Sequence, residues 1–368
     1  MKVLFVLPNI AVGGVERVRL ALIEYFISRG IECRLALRWR KGELLDHACK
    51  LVTVEELAPR GLRQFVPELV RLIRREQPTH VITAFPDIGV LTWLSLRRAR
   101  SQAKWVHTVD GSDAAASFAV GPIERLRFRL QHRAAGFVYR HADAVVAVSE
   151  GLRAEIVGGY ALDPRRVAML YNPVVPDIEL GWRRASRKDD GGPCRIAAVG
   201  RLAHEKGFDV LVRAMARVQG AWQLAIWGEG AERSALSKLV AELGLQDRIQ
   251  LCGYASDPFR AMRDADVFVM PSRHEGFGNV LIEALACQCQ VVAADCPYGP
   301  REILQDGRLG ELVPVEDVDG LAEAIKRVMS GQREVAPELL SERARDFTSS
   351  KSGDQWEQLL CRLDAARR

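Results

Sequence analysis

The chain has 368 residues, 48% of them hydrophobic and 27% charged, with a net charge of +5. At roughly 100–200 residues per domain this length predicts two domains, and the charged fraction, that of an ordinary soluble protein, excludes a long disordered chain. No run approaches the ~18–20 uninterrupted apolar residues of a membrane span, and the apolar start at residues 1–8 is shorter than a signal peptide, so a cytoplasmic chain is expected.

The charge is uneven. Residues 1–180 hold 26 Lys and Arg against 19 Asp and Glu, while the remainder holds 26 against 28. A basic first half points to an anionic surface or substrate, or to a plain solvated basic face. The eight cysteines show no C-x-x-C, and Cys287 and Cys289 sit at an apolar helix end. With no H-E-x-x-H among the histidines either, no metal site is expected.

Along the chain, short apolar runs alternate with longer amphipathic stretches. Residues 3–7 read as a strand, 15–28 as a helix stopping at Gly30, and 31–37 as a strand. Residues 62–75 carry apolar positions at helical spacing, 80–84 are strand-like, 88–96 helical and 105–109 a strand. Residues 123–139 form a basic helix, and 143–148 a strand followed by Ser149 as a helix N-cap. The stretch 172–193, rich in Pro and Gly, breaks the pattern and reads as a linker. Alternation restarts with strands at 195–199, 222–227, 249–252, 267–270 and 291–294, and helices at 207–218, 231–243 and 280–286. Helices at 318–329, 337–344 and 354–365 finish the chain. This order predicts an α/β protein with two doubly wound parallel-sheet domains, Rossmann-like, whose ligands meet the carboxyl ends of the strands.

Three segments at those ends carry chemistry. Gly13-Gly14-Val15-Glu16 follows the first strand and opens the first helix, so a ligand's anionic group would meet the backbone there; a plain strand-to-helix turn is the alternative. Its spacing is not G-x-G-x-x-G, which argues against a nicotinamide dehydrogenase. Gly200-Arg201-Leu202-Ala203-His204-Glu205-Lys206-Gly207 puts two cations in one loop, which suits a diphosphate. The segment from Pro271 to Ala284 carries Glu275 in a Gly-containing loop and Glu283, eight residues on, about one turn into a helix. Loop amides and the helix dipole suit a phosphate, and the two carboxylates suit sugar and ribose hydroxyls. Asp264-Ala265-Asp266, a D-x-D, precedes a strand far from the cation loop and reads as a helix-end and strand-start device.

The E-x7-E at Glu275 and Glu283, the Arg201…Lys206 loop, the Gly13-Gly14-Val15-Glu16 turn, the 295–302 segment and the Asn172-Pro173-Val174 exit together resemble glycosyltransferase family 4. The resemblance runs over nearly the whole chain. It implies the GT-B fold, two Rossmann-like domains facing each other across a cleft. The first, acceptor-binding, would span 1–175, a linker 176–193 and the nucleotide-sugar domain 194–350, with a C-terminal helix at 351–368 packing back toward the first. It implies a retaining transfer from a UDP- or GDP-sugar with no cofactor and no essential divalent metal. Gly13 and Gly14 would lie under the donor's diphosphate and sugar, and Arg201 and Lys206 would neutralise the leaving diphosphate. Glu275 would bind hydroxyls of the transferred sugar, the amides of Phe277, Gly278 and Asn279 the diphosphate or sugar, and Glu283 the ribose. Gly228, Gly253 and Tyr254 would lie near the base. His107, within the 105–109 strand, or Asp110, just after it and slightly favoured for that reason, would serve the acceptor side.

The expected acceptor is a lipid-linked or lipopolysaccharide-type glycan. The basic helices at 60–75 and 125–140 offer an anionic inner-membrane surface for peripheral attachment on its cytoplasmic face, and no nucleic-acid partner is expected. A GT-B sugar-nucleotide epimerase, or a non-catalytic nucleotide-sugar-binding protein, are the alternative functions.

Overall fold

A computed structural model describes residues 1–11, 13–58, 61–111, 122–177, 192–255 and 257–365, with the side chains of 122–125 also outside the description. Ser112, Asp113, the Arg125 side chain and most of the predicted linker therefore lie outside the described residues.

The chain divides into two compact units, one formed by Met1–Pro173 with Ser349–Arg368, the other by Val174–Thr348. The first unit runs β1 (Lys2–Leu7), α1 (Gly14–Ser28), β2 (Glu32–Leu37), α2 (Leu45–Leu51), β3 (Val54–Glu56), α3 (Phe65–Glu76), β4 (His80–Ala84), α4 (Pro86–Ala99), β5 (Lys104–Val109), α5 (Pro122–His141), β6 (Ala144–Ala147), α6 (Glu150–Tyr160) and β7 (Val167–Met169). Its seven strands are ordered β3-β2-β1-β4-β5-β6-β7 and pair in parallel. The near-continuous apolar runs of β1 and β4 follow from burial on both faces of such a sheet. The order reverses between β1 and β4, so the loops after these strands diverge and leave room for a ligand.

The second unit runs β8 (Cys194–Val199), α7 (Phe208–Met215), β9 (Trp222–Trp227), α8 (Arg233–Glu242), β10 (Ile249–Gly253), α9 (Pro258–Arg263), β11 (Val267–Met270), α10 (Asn279–Ala286), β12 (Gln290–Ala294), α11 (Pro300–Ile303), β13 (Glu311–Val313), α12 (Val318–Met329) and α13 (Pro337–Ala344). Its parallel sheet has the order β10-β9-β8-β11-β12-β13, with the reversal between β8 and β11.

Most differences from the sequence expectation are short elements. The unexpected β3, β7 and β13 have three residues each and lie at the ends of the sheet order or beside it, where little apolar patterning is needed. The predicted helix at 62–75 begins with a 3-10 turn over Leu62–Gln64. The D-x-D is a strand-start device: Asp266 Oδ2 accepts the Arg195 amide at 2.8 Å, and its own amide donates to the Arg195 carbonyl at 2.7 Å, tying β11 to β8.

The last helix, α14 (Ser349–Ala365), belongs to the first unit and lies against α1. Trp356, Leu359 and Leu360 are buried in one core with Leu22, Tyr25 and Phe26. Polar contacts fix its register: the Tyr25 hydroxyl donates to Asp354, the Ser352 hydroxyl to the Tyr171 carbonyl, and His80 Nε2 meets the Leu360 carbonyl at 3.2 Å. Gly353 is there because a Cβ would come within 2.3 Å of the Tyr25 ring. Alanine is the better helix former by about 1 kcal/mol, so a Gly353→Ala variant separates propensity from packing. Overpacking of about 1–3 kcal/mol should win, and a lowered thermal midpoint in scanning calorimetry is the expected result.

Candidate active site

Apart from the D-x-D, every segment singled out in the second unit leaves the carboxyl end of its sheet. From β8 the chain enters the 200–207 loop, which closes in a 3-10 turn over His204–Lys206. Gly207 takes φ +63, and a Cβ there would meet the Pro271 carbonyl at 2.1 Å, so only glycine lets this loop lie against the one after β11. The two are stitched by the amide of Arg273 donating to the Glu205 carbonyl at 2.9 Å. The segment after β12 shoulders the same loop: the Glu275 amide donates to the Pro297 carbonyl at 3.2 Å, and the Tyr298 amide to the Glu275 carbonyl at 3.0 Å.

This scaffold brings Lys206 and Glu275 together at the β8/β11 reversal. Lys206 Nζ donates to Glu275 Oε1 at 2.7 Å and Oε2 at 2.8 Å, and the Ser272 hydroxyl donates to Oε1 at 2.7 Å. The Glu275 carboxylate is nearly buried, whereas the Lys206 side chain keeps 24% of its surface exposed. The result is a cation with one side committed to a fixed carboxylate and another open to a ligand. Arg201 is 71% exposed and pairs with Glu205, not with Glu275. Burial works against ionisation of Glu205, but its own amide and the Arg201 charge hold its carboxyl below the usual range.

Phe277 points into the core, 5.7 Å from the Phe347 ring, so only its backbone faces the loop. Gly278 precedes α10 at φ +95, and Asn279 is the first helical residue. Glu283 follows one turn in and is 8% exposed. Gly228 and Gly253 are brought side by side, the Gly228 amide donating to the Gly253 carbonyl at 2.7 Å. A Cβ on Gly228 would lie 1.8 Å from the Gly200 carbonyl, so this glycine also presses the β9 loop onto the cation loop. Tyr254, next along, is 45% exposed.

Arg273 lies inside the 271–284 segment and was given no role in the sequence, yet it proves central. It is 8% exposed and donates to Asp209 through both terminal nitrogens at 2.8 Å. It also donates to Glu316 at 2.6 Å and to the His204 carbonyl at 2.7 Å. One guanidinium thus joins the loop carrying Glu275, the turn carrying Lys206 and the start of α7. Burial opposes it, but these bonds hold the Asp209 carboxyl below its usual range.

In the first unit, the Glu16 carboxylate folds over Gly13: a Cβ there would sit 2.3 Å from Glu16 Oε2. The Gly13 turn, which the resemblance places under the donor's diphosphate and sugar, thus has this carboxylate beside it, and Gly13 gives α1 no side-chain cap. Burial, with Asp110 adding, pushes the Glu16 carboxyl up against the pull of its own amide.

The two acceptor-side candidates separate. His107 lies inside β5 and is 1% exposed, its Nδ1 2.8 Å from the Thr83 hydroxyl and its ring beside Tyr139. It is a core residue and does not reach the loop. Asp110 stands just past the strand and is held by Arg19, whose terminal nitrogen donates to both carboxylate oxygens at 2.6 and 2.7 Å and to Thr108 Oγ1 at 2.9 Å. Arg19 went unread in the sequence; its only signal is an arginine on the buried face of an apolar helix, between Val18 and Leu20.

Burial, with the Arg19 charge adding, pushes the His107 pKa down to about 3. The unfolded chain takes up this proton near pH 6.5 and the folded one only near 3, so stability falls as pH drops through that window. A slope of about 1.4 kcal/mol per pH unit is the ceiling for one such group. Denaturant midpoints measured across it should flatten in His107→Phe relative to the parent.

Sequence comparison agrees with this reading of the fold. A profile described as Glycosyltransferase Family 4 matches residues 12–178, and one described as Glycosyl transferases group 1 matches 193–331. The lipopolysaccharide core biosynthesis glycosyltransferase LpsD of Rhizobium meliloti is 30% identical over 339 residues, 86% of this chain and 84% of that one. The N-acetylgalactosamine-N,N'-diacetylbacillosaminyl-diphospho-undecaprenol 4-alpha-N-acetylgalactosaminyltransferase of Campylobacter jejuni is 33% identical over 196 residues, and the match spans 53% of each chain, about half its length. The crystal structure of HepE from Anabaena in complex with UDP and glucose superposes with a TM-score of 0.81 at 19% identity, over 98% of this chain and 99% of that one. Two doubly wound parallel-sheet units of this kind define the GT-B class. The chain belongs to glycosyltransferase family 4.

Proposed function

We propose that the chain is a retaining glycosyltransferase that moves a hexose or N-acetylhexosamine from a UDP- or GDP-sugar to a lipid-linked or lipopolysaccharide-type glycan, without a divalent metal. The observation that carries this reading is the Lys206–Glu275 pair at the β8/β11 reversal, with Arg201 open to solvent in the same loop. The bond from the anomeric carbon to the diphosphate breaks as charge builds on the departing oxygen. Lys206 and Arg201 would stabilise that charge as fixed cations, the role a metal ion serves elsewhere. Glu275 would accept hydrogen bonds from hydroxyls of the transferred sugar and hold its anomeric carbon toward the acceptor. Glu283 would take the ribose, and Asp110, oriented by Arg19, would take an acceptor hydroxyl whose proton leaves with the departing phosphate. The UDP in the HepE complex and the lipopolysaccharide and undecaprenol-linked glycans in the names of LpsD and the Campylobacter enzyme support the donor and acceptor classes.

Calorimetric titration with UDP, GDP, ADP and NAD in EDTA tests the reading. Binding of UDP or GDP alone is expected and picks the donor panel, whose products then report the anomeric configuration. Binding of none of the four overturns the site, and conversion of the donor sugar without acceptor would replace transfer by epimerisation.

A further inference from the structure

The sheet of the second unit is covered unequally. Along β8, β9 and β10 the side chains alternate, and Ile196, Trp222, Leu224, Ile226 and Ile249 enter one core with α7, α8 and α12. The opposite face carries Arg195 and Ala197 on β8, Gln223, Ala225 and Trp227 on β9, and Gln250 on β10. A parallel sheet is ordinarily covered by helices on both faces, and its strands then read as continuous apolar runs. Here arginine and glutamine can stand in the strands because the element returning across this face, α9, has six residues, about 9 Å of helix, and packs on β8. Between α9 and the β10 edge lies an open groove of about 910 Å³.

Strand register orders the floor of this groove. Arg195 pairs with Gln223, then Ala197 with Ala225 and Ala225 with Gln250, then Trp227 with Gly253. The two alanines leave the floor low, with the Gln223 and Gln250 amides and the half-buried Trp227 ring around it. Among the described residues no protein group hydrogen-bonds either side-chain amide or the Trp227 indole nitrogen. The charges at the margin cancel, Arg195, Arg248 and Arg260 standing against Asp247, Asp257 and Asp264. A balanced rim gives no field to draw a phosphate, a nucleic acid or an anionic headgroup. An indole face beside amides that both donate and accept suits a neutral molecule with apolar CH faces and many hydroxyls, which is the surface of a pyranose. The volume lies toward the upper end of the roughly 300–1,000 Å³ of small-molecule sites, room for several sugars in a row. The groove also reaches the candidate site: Trp227 and Tyr254 line its upper end, and their chain neighbours Gly228 and Gly253 form the pair that presses on the cation loop.

We infer that this face of the second unit binds a neutral oligosaccharide of hexose or N-acetylhexosamine units, Trp227 stacking on one ring and Gln223 and Gln250 holding hydroxyls, so that the chain grips a glycan outside its catalytic contacts. The choice of sugars rests on the proposed transfer reaction, but the test needs no turnover. The full chain is applied to a glycan array of neutral hexose and N-acetylhexosamine di- to tetrasaccharides, with sulfated and phosphorylated counterparts beside them. Neutral members should bind, and the charged counterparts no better. Gln223→Ala with Gln250→Ala, and separately Trp227→Ala, should each lower that binding about tenfold or more. Nucleoside diphosphate affinity should stay at the parent value in both, and the thermal midpoint in the glutamine pair, whose side chains are exposed. Binding to none of the array, a preference for the charged members, or groove variants that bind like the parent overturns the inference. Binding lost in Asp110→Asn and kept in both groove variants would move the sugars to the acceptor side of the first unit. A parent that is a dimer, with groove variants that are monomers, would give this face to a second copy of the chain; both results overturn the inference as well. Neutral glycan binding without any nucleotide binding leaves the groove standing and removes the transferase reading instead.

Discussion

Glu275→Gln should lower transfer by about 10²–10³-fold while nucleoside diphosphate affinity moves little, since a fixed group that acts in the transition state contributes on this scale. The substitution keeps the size of the side chain and leaves an oxygen for the Ser272 hydroxyl, so the loop retains its Ser272 and Pro297 contacts. What it removes is the charge facing Lys206 and the second strong acceptor for a sugar hydroxyl. Lys206→Ala should cost at least as much, and by a different route. It deletes the cation that meets the leaving group and leaves a nearly buried carboxylate with Ser272 as its remaining side-chain donor. Donor affinity should therefore fall in Lys206→Ala and hold in Glu275→Gln, a split that steady-state kinetics with a labelled donor reads directly. Equal loss of affinity in both variants would mean that the pair acts only as a structural clasp.

Arg273→Met should lower both stability and turnover. Removing one partner from a buried ion network costs about 3–5 kcal/mol when the remaining charges stay buried. Here Asp209 and Glu316 keep 39% and 60% of their side-chain surface exposed, so water replaces part of what they lose and the lower end of that range applies. The loss of the bond to the His204 carbonyl then removes one of the ties between the Lys206 turn and the Glu275 loop, leaving the backbone bond to the Glu205 carbonyl and the Lys206–Glu275 pair to hold them. Asp209 gives the pH check. Its carboxyl is held low in the folded chain, so its stabilising effect is complete above the ordinary carboxylate range and is lost as pH falls through it. An Asp209→Asn, Arg273→Met double-mutant cycle in denaturant should show a coupling that fades in acid.

The second unit was the more legible in the sequence. The cation loop and the E-x7-E segment are short, local and placed directly after strands, so chain order alone puts them at one sheet edge. Arg273 and Arg19 were not legible because their meaning lies in partners 64 and 91 residues away. A buried arginine looks like any other until its carboxylate is seen. At the Gly13 turn the sequence showed the two glycines but not that the Glu16 carboxylate, bonded to its own amide, lies over Gly13. The acceptor-side choice was open in the sequence because one residue of strand length decides whether His107 sits in the core or on the loop. The helix α9 carried a start signal that went unused, Asp257 accepting the Arg260 amide ahead of Pro258.

The return of α14 to the first unit sets an order of events during synthesis. Residues 1–173 leave the ribosome well before the helix that covers Leu22, Tyr25 and Phe26 has been made. The second unit, unbroken from Val174 to Thr348, has all its strands by the time that helix emerges. The unit that begins the chain is thus the last to close, and its apolar face stays open to chaperones, proteases or a neighbouring nascent chain until residues 349–365 arrive.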